Sequence, residues 1–181
     1  EYIDCVVDGA ARMQHLIQDL LMYSRVGSRE ISVQPVDAGA VVATVRRDLD
    51  VMIQENGAEV TCDNLPDVQC DPGQFAQLLE NLISNGIKYS SPGRSATVHV
   101  SALKRGSFVE FCVTDNGIGI EEKQFEKVFV IFRRLHSRDE YEGSGIGLAV
   151  CKRIIERHHG RIWLTSEPGK GTSFHFTLPA V

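Results

Sequence analysis

Apolar residues recur over the first 25 positions at alternating four- and three-residue steps: Val6, Ala10, Met13, Ile17 and Leu20, with Leu16, Leu21 and Tyr23 widening the stripe. That period predicts one amphipathic helix, ended at Val26-Gly27-Ser28 with Gly27 as its C-terminal cap. The stripe is too wide for a helix solvated on its own, so it calls for a partner helix that this chain does not obviously supply. A strand is expected over 30–36, placed at an edge or strand end by Pro35. Asp37 then caps a helix running to about residue 56, with Val41, Val42, Val45, Leu49, Met52 and Ile53 inward and Gly57 as its stop. Short strands follow at 59–62 and 68–70 around a turn at 63–67. Asp71-Pro72 opens a helix that buries Phe75, Leu78, Leu79, Leu82 and Ile83 and reaches Tyr89. Strands at 96–103 and 108–115 read as an antiparallel hairpin about Gly106. A charged, irregular stretch at 121–142 holds one short helix near 121–129. A helix spans about 145–159 and stops at Gly160, and a last hairpin pairs 161–166 with 172–178. Strands and helices mix without regular alternation, which predicts an α+β two-layer sandwich: a mixed or antiparallel sheet with helices on one face.

Composition narrows this picture. The chain has 181 residues, 43% hydrophobic and 24% charged, with a formal net charge of −5. One domain of ordinary size plus an appendage fits that length. The acidic balance argues against bulk nucleic-acid binding, which needs a basic face, but leaves room for one phosphorylated ligand with local cations and a metal. No apolar run approaches the roughly 20 residues needed to cross a bilayer, so no membrane contact is expected from this segment. The chain starts inside a helical pattern and reads as a piece of a longer protein. The cysteines (Cys5, Cys62, Cys70, Cys112 and Cys151) are odd in number and lack C-x-x-C spacing. That usage argues against a disulfide framework or zinc site and fits a reducing cytosol. All but Cys70, which is placed at a strand end, are expected to pack as small hydrophobes.

Three clusters carry candidate chemistry. Asn81, Asn85 and Lys88 share one helix face, flanked by Tyr89. An amide oxygen is a hard ligand suited to Mg2+, and lysine supplies a point charge for phosphate; a solvated polar stripe is the plainer alternative. Asp115-Asn116-Gly117-Ile118-Gly119 follows a strand, where an acid can accept from an exocyclic amine such as that of adenine and the glycines let backbone approach the base. A simple turn would use the same residues. Gly143-Ser144-Gly145-Ile146-Gly147 leads into a helix whose free amides suit phosphate. It is neither a dinucleotide fingerprint nor a P-loop. Arg133, Arg134 and His136 sit between these clusters in a candidate lid, from which the arginines could reach phosphates and whose start Phe129 and Phe132 would anchor; a solvated loop is the plainer alternative. The six histidines, His15 included, show no metal-ligand spacing and are read as structural.

Taken together and in this order, the motifs resemble the catalytic ATP-binding domain of sensor histidine kinases. Residues 71–90 look like that family's N box, 113–120 its first glycine box, 125–134 its F box and 143–149 its second glycine box. Residues 169–172 resemble its last, weaker glycine box. The stretch FVIFRRLHSRDEYEGSGIGLAVCKRIIERHHGRIW is similar to the phytochrome-type subgroup. The resemblance implies the fold shared with gyrase, MutL and Hsp90-type ATPases. It divides the chain into 1–27, the second helix of a dimerisation and histidine phosphotransfer domain, and 28–181, the catalytic domain. It implies ATP and Mg2+ as cofactors, a homodimer in the full-length protein, a phosphoacceptor-histidine helix of the same protein and a response-regulator receiver domain as partners. His15 lies in the wrong helix context for the acceptor.

Carried over position by position, the resemblance makes Asn85 the magnesium ligand, with Asn81 supporting it or the phosphates. Lys88 and Tyr89 contact phosphates or the nucleotide edge. Asp115 reads the adenine amine while Gly117 and Gly119 make room. Arg134, Gly143, Ser144, Gly145, Ile146, Gly147 and Leu148 close over the triphosphate, and Thr172 backs the base. Catalytic roles fall to Asn81, Lys88 and Arg134. Gly86 departs from the family's usual alanine and is expected to weaken its helix by roughly 0.5–1 kcal/mol and loosen packing near the metal. The related hydrolases place a glutamate base four residues before the metal asparagine. Here that position is Asn81, which cannot take a proton, and Glu80 projects about 100° away. Phosphoryl transfer to a histidine, followed by relay to a receiver aspartate, is therefore expected over hydrolysis. A gyrase- or Hsp90-like ATPase module and an anti-sigma-type serine kinase are the alternatives.

Overall fold

The computed structural model describes residues 7, 13–14, 17, 20–21, 23–24, 26, 30–91, 93–133, 135 and 144–181. Its elements are β1 (Gln34–Val36), α1 (Ala38–Asp48), α2 (Asp50–Glu55), β2 (Glu59–Cys62), β3 (Val68–Cys70), α3 (Pro72–Lys88), β4 (Thr97–Arg105), β5 (Phe108–Asp115), α4 (Gly147–Arg157), β6 (Ile162–Glu167) and β7 (Gly171–Pro179). Five strands form a mixed sheet in the order β2-β4-β5-β7-β6. The β2–β4 pair is parallel and the other neighbours are antiparallel. This is the expected α+β sandwich.

Alternation along β5 and the central parts of β4 and β7 makes the sheet two-faced. Val98, Val100, Val109, Phe111, Val113, Phe174 and Phe176 are buried on one face, beneath α3 and α4, with α1 packed on α3. Phe75 of α3 meets Phe111 and Phe176 edge-on, at centroid distances of 5.5 and 6.4 Å. The opposite face carries Thr61, His99, Thr114, Ser173 and His175 and satisfies them across the strands, as in the 2.9 Å Thr114–Ser173 contact. Helix α3 starts where Asp71 accepts the amides of Gly73 and Gln74, both at 3.0 Å, with Pro72 in the first turn.

Several boundaries differ from the sequence reading for identifiable reasons. The strand expected over 30–36 shortens to Gln34–Val36, because the amide of Ser32 donates to Asp71 Oδ2 instead of a strand. The strands at 59–62 and 68–70 join different sheets: β2 pairs with β4, and β3 pairs antiparallel with β1. The helix expected to residue 56 is divided at Leu49 (φ −92°, ψ 6°). Only two short 3-10 turns, Glu122–Gln124 and Lys127–Phe129, replace the helix near 121–129, and neither has a side-chain cap. Helix α4 ends in a Schellman arrangement in which His159 takes the left-handed conformation (φ 58°). The amides of His159 and Gly160 bond to Glu156 O and Ile155 O. Gly160 is needed for space: a Cβ there would lie 1.9 Å from Thr177 O.

The described residues before Gly27 are helical. Met13, Ile17, Leu20 and Leu21 are exposed, so no described residue covers that part of the stripe. The helix end is tied to α4, where Arg153 lies 4.6 Å over the Tyr23 ring and the Arg157 guanidinium donates to Val26 O. No described helix is long and apolar enough to cross a membrane.

The cysteines divide by depth. Burial, with the nearby Asp71 charge, pushes the Cys70 thiol up to about 12, and burial likewise raises that of Cys151. Both are inert small hydrophobes. Cys62 is exposed rather than packed, since it ends edge strand β2, and Cys112 is half-buried on the polar face. Cys5 lies outside the described residues.

Candidate functional site

A cavity of about 290 Å³ opens between the C-terminal half of α3, the end of β5 and the N-terminus of α4. Asn81, Asn85 and Lys88 reach it from one face of α3, and Tyr89, the helix C-cap, closes that side. Lys88 Nζ sits 4.9 Å above the Tyr89 ring. Asn81 donates its amide to Gln77 O at 2.9 Å, which turns its oxygen toward Gly147.

Asp115 occupies the deep end. The amides of Gly117 and Thr172 both donate to its Oδ1, at 2.8 and 3.1 Å. Neither reaches Oδ2, which remains an acceptor for a ligand N–H. Burial pushes this carboxyl above the usual carboxylate range, and the two amide bonds only partly oppose it. The surrounding loops fit because Gly117 and Gly119 have no side chains. A Cβ on Gly117 would lie 2.4 Å from Tyr89 O, and one on Gly119 2.2 Å from Glu167 O. Ser166 holds the same loops together, accepting from Ile120 N at 2.8 Å and donating to Gly171 O at 2.7 Å.

The opposite end is built from backbone. Ile146 caps α4 with no side-chain bond, so the first-turn amides near Gly147 and Leu148 are left for an anion. Ser144, Gly145 and Ile146 line this end, as does Arg133. The two ends of the lid meet where the amide of Phe132 donates to Gly145 O at 3.1 Å. Phe129 packs at the lid base, edge-on to Phe174 at 6.5 Å. Phe132 does not anchor the lid in an apolar pocket: it is 57% exposed and held at φ 62° by its backbone bond.

The structure thus brings Asn81, Asn85, Lys88, Tyr89, Asp115, Gly119, Ser144, Gly145, Ile146, Gly147, Leu148 and Thr172 to one cavity, with Gly117 directly behind Asp115. Arg134 and Gly143, with His15 and His136, lie outside the described residues. Sequence reasoning missed the apolar wall, formed by Ile118, Ile120, Val128, Val150 and Phe174. The alternation of isoleucine with glycine in 117–120 was its one available signal.

Gly86 corrects the expectation of loosened packing. A Cβ there would stand 2.7 Å from Val98 Cγ2 and 3.2 Å from Asp115 Cβ. The helix therefore lies closer to the sheet, directly against Asp115, than an alanine allows.

Such an arrangement can hold a flat base with an exocyclic amine against Asp115 and a polyanion at the head of α4. The amide oxygens of Asn81 and Asn85 are hard donors fitting a magnesium ion that keeps waters and phosphate oxygens. They offer no charge of their own, so the ion would depend on the ligand.

Comparison with known proteins agrees. The family model described as histidine kinase-, DNA gyrase B- and HSP90-like ATPase matches residues 70–181. Phytochrome-like protein Cph1 of Synechocystis sp. is 43% identical over 99% of this chain, which spans 24% of that protein. An adaptive-response sensory kinase SasA of Synechococcus sp. is 37% identical over 93% of this chain and 46% of its own length. Among solved structures, full-length ShkA in complex with AMPPNP matches 98% of this chain and 38% of its own, with a TM-score of 0.81 and 26% identity.

Proposed function

Because the chain belongs to the histidine kinase-, DNA gyrase B- and HSP90-like ATPase family, and is homologous to phytochrome-like and SasA histidine kinases, we propose that it binds Mg·ATP and transfers the γ-phosphoryl group to a histidine on a dimerisation helix outside these 181 residues, for relay to a response-regulator aspartate. The observation that carries this reading is the pairing, in one cavity, of an Asp115 Oδ2 and an α4 N-terminus, neither given a side-chain partner by the described residues, with Asn81 and Asn85 flanking the latter. That ShkA was solved in complex with AMPPNP, an ATP analogue, supports a nucleotide as the ligand.

Each residue then has a task. Asp115 Oδ2 accepts from the adenine amine, and the apolar wall takes the ring faces. The α4 amides and Lys88 orient the phosphates. Asn85, backed by Asn81, would supply the protein oxygen for Mg2+, which when bound would neutralise phosphate charge. Arg134 and Gly143 complete the closure over the triphosphate. Where a hydrolase of this family needs a carboxylate to activate water, Asn81 cannot accept a proton. A neutral imidazole needs no such base near neutral pH. Residues 1–27 serve as the second bundle helix of a cytoplasmic, dimeric kinase, which gives their exposed apolar stripe a partner.

The test uses ATP labelled on its γ-phosphate, given to this chain extended N-terminally by the preceding helix. Acid-labile, base-stable label on the extension is expected, with the 181-residue chain alone binding Mg·ATP but not labelling itself. Label released as inorganic phosphate, with none on protein, would overturn the kinase reading in favour of an ATPase and single out Glu80.

A further inference from the structure

Helices α3 and α4 pack antiparallel and touch at three levels. At the site end, a Cβ on Gly147 would stand 2.7 Å from Asn81 Oδ1. Midway, the Cys151 thiol lies 3.9 Å from Leu78 O. At the far end, His158, the C-cap of α4, meets Asp71, the N-cap of α3. We propose that His158 is a positioning residue for the nucleotide site: a neutral imidazole, protonated on Nδ1, that fixes the lengthwise registry of α4 against α3. The proposal rests on the nucleotide reading above.

The hydrogen bonds settle the tautomer. Nδ1 lies 2.8 Å from Ile154 O. A carbonyl only accepts, so Nδ1 carries the proton. Nε2 is then bare, and it accepts the amide of Asp71 at 3.0 Å. The ring is 2% exposed, so water cannot replace either partner. Asp71 is itself fixed, with Oδ1 accepting from Gly73 and Gln74 and Oδ2 from Ser32. The imidazole therefore joins the last turn of α4 to the head of α3 by two directional bonds. Most of the remaining interface is apolar packing, which is non-directional and resists sliding less.

Sliding matters at the other end. One residue of helix is about 1.5 Å of travel. A shift of that size would either drive Gly147 into Asn81 or open a gap between the α4 amides and the amide pair on α3. His158 thus acts on the phosphate end from roughly 15 Å away, ten residues along α3, without touching ligand.

The test compares four chains for binding of an N-methylanthraniloyl ATP analogue with Mg2+: wild type, His158→Leu, His158→Gln and Val45→Ala. Val45 is buried in α1, so Val45→Ala lowers stability from a helix other than the two that His158 joins. His158→Leu is expected to raise Kd about tenfold beyond the change in Val45→Ala. His158→Gln, whose Oε1 can accept from Asp71 N–H, should return to within about threefold of wild type. Nitrogen-15 spectra of the free wild-type chain should place the His158 proton on Nδ1. Equal affinities in His158→Leu and Val45→Ala, or a proton on Nε2, would overturn the proposal. If His158→Leu does not fold, His158→Gln and the tautomer decide. Wild type failing to bind the analogue would instead overturn the nucleotide reading, with the wiring of His158 still decided by its tautomer.

Discussion

The two ends of the cavity are made differently. At the Asp115 end, a half-buried carboxylate is held by two amides on one oxygen, and glycines bring three loops within contact of one another. At the α4 end, the groups facing the cavity are helix amides without a side-chain cap, two uncharged side-chain amides, and the cations Lys88 and Arg133. The first end is finished before any ligand arrives. The second has donors and weak ligands whose partners, on the proposed reading, are the phosphates and metal themselves. On the proposed reading, recognition of the base is built into the folded chain, while the reacting end is assembled by what binds. Under the proposed transfer of a phosphoryl group to another helix, this division would be an advantage, because a rigid reacting end would obstruct the acceptor.

The largest effect expected from this contrast is at Asp115. Asp115→Asn places an N–H₂ group or a weaker neutral acceptor against the base amine, and should weaken Mg·ATP binding by roughly 2–3 kcal/mol, about a hundredfold. Unchanged affinity would show that the deep end does not read the base. Next is Gly86→Ala. Helix propensity alone predicts a gain of roughly 0.5–1 kcal/mol, but the contact with Val98 predicts a loss of about 1–3 kcal/mol from overpacking. Denaturant unfolding gives the sign, and Val98→Ala in the same chain should recover part of the loss. At the other end, Asn85→Ala should remove about tenfold of affinity in the presence of Mg2+ and little in EDTA. Equal losses in both would make Asn85 a phosphate contact rather than a metal ligand.

The smallest effect is of pH. Burial holds the Asp115 carboxyl above the ordinary carboxylate range in the free chain. A proton on Oδ2 turns an acceptor into a donor facing the base amine. Affinity for Mg·ATP should therefore be full well above that raised pKa and fall as pH drops through it, earlier than an exposed aspartate would dictate. Since the ligand favours the ionised form, the carboxyl's pKa should be lower in the complex, and binding near that pH should release protons. Titration calorimetry in buffers of different ionisation enthalpy measures that release, and Asp115→Asn should abolish it.

The same division governs what the sequence made legible. Period-two strands such as 108–115 and the apolar stripe of α3 follow from one buried face each, and were readable to within a residue. The glycine and asparagine motifs located the cavity because their positions follow from helix and strand geometry. What escaped depends on partners distant in the chain. Nothing in Glu59–Cys62 or Val68–Cys70 says which strand each will pair with, so their separation into two sheets could not be read. Gly86 looked like a weak helix residue until Val98 and Asp115 were placed against it. His158 and Asp71, 87 residues apart, meet only because α3 and α4 are antiparallel. Phe132 was misread because its aromatic ring suggests burial, whereas its backbone bond to Gly145 sets its place.

The central claim is that this one cavity holds ATP with its base at Asp115. Calorimetry of the wild-type chain with Mg·ATP and Mg·GTP tests it most directly. Guanine presents a carbonyl where adenine presents its amine, and would set an acceptor against Asp115 Oδ2. Tight binding of Mg·ATP, with Mg·GTP weaker by about a hundredfold and the preference lost in Asp115→Asn, is the predicted result. Equal binding of the two nucleotides by the wild-type chain would contradict it.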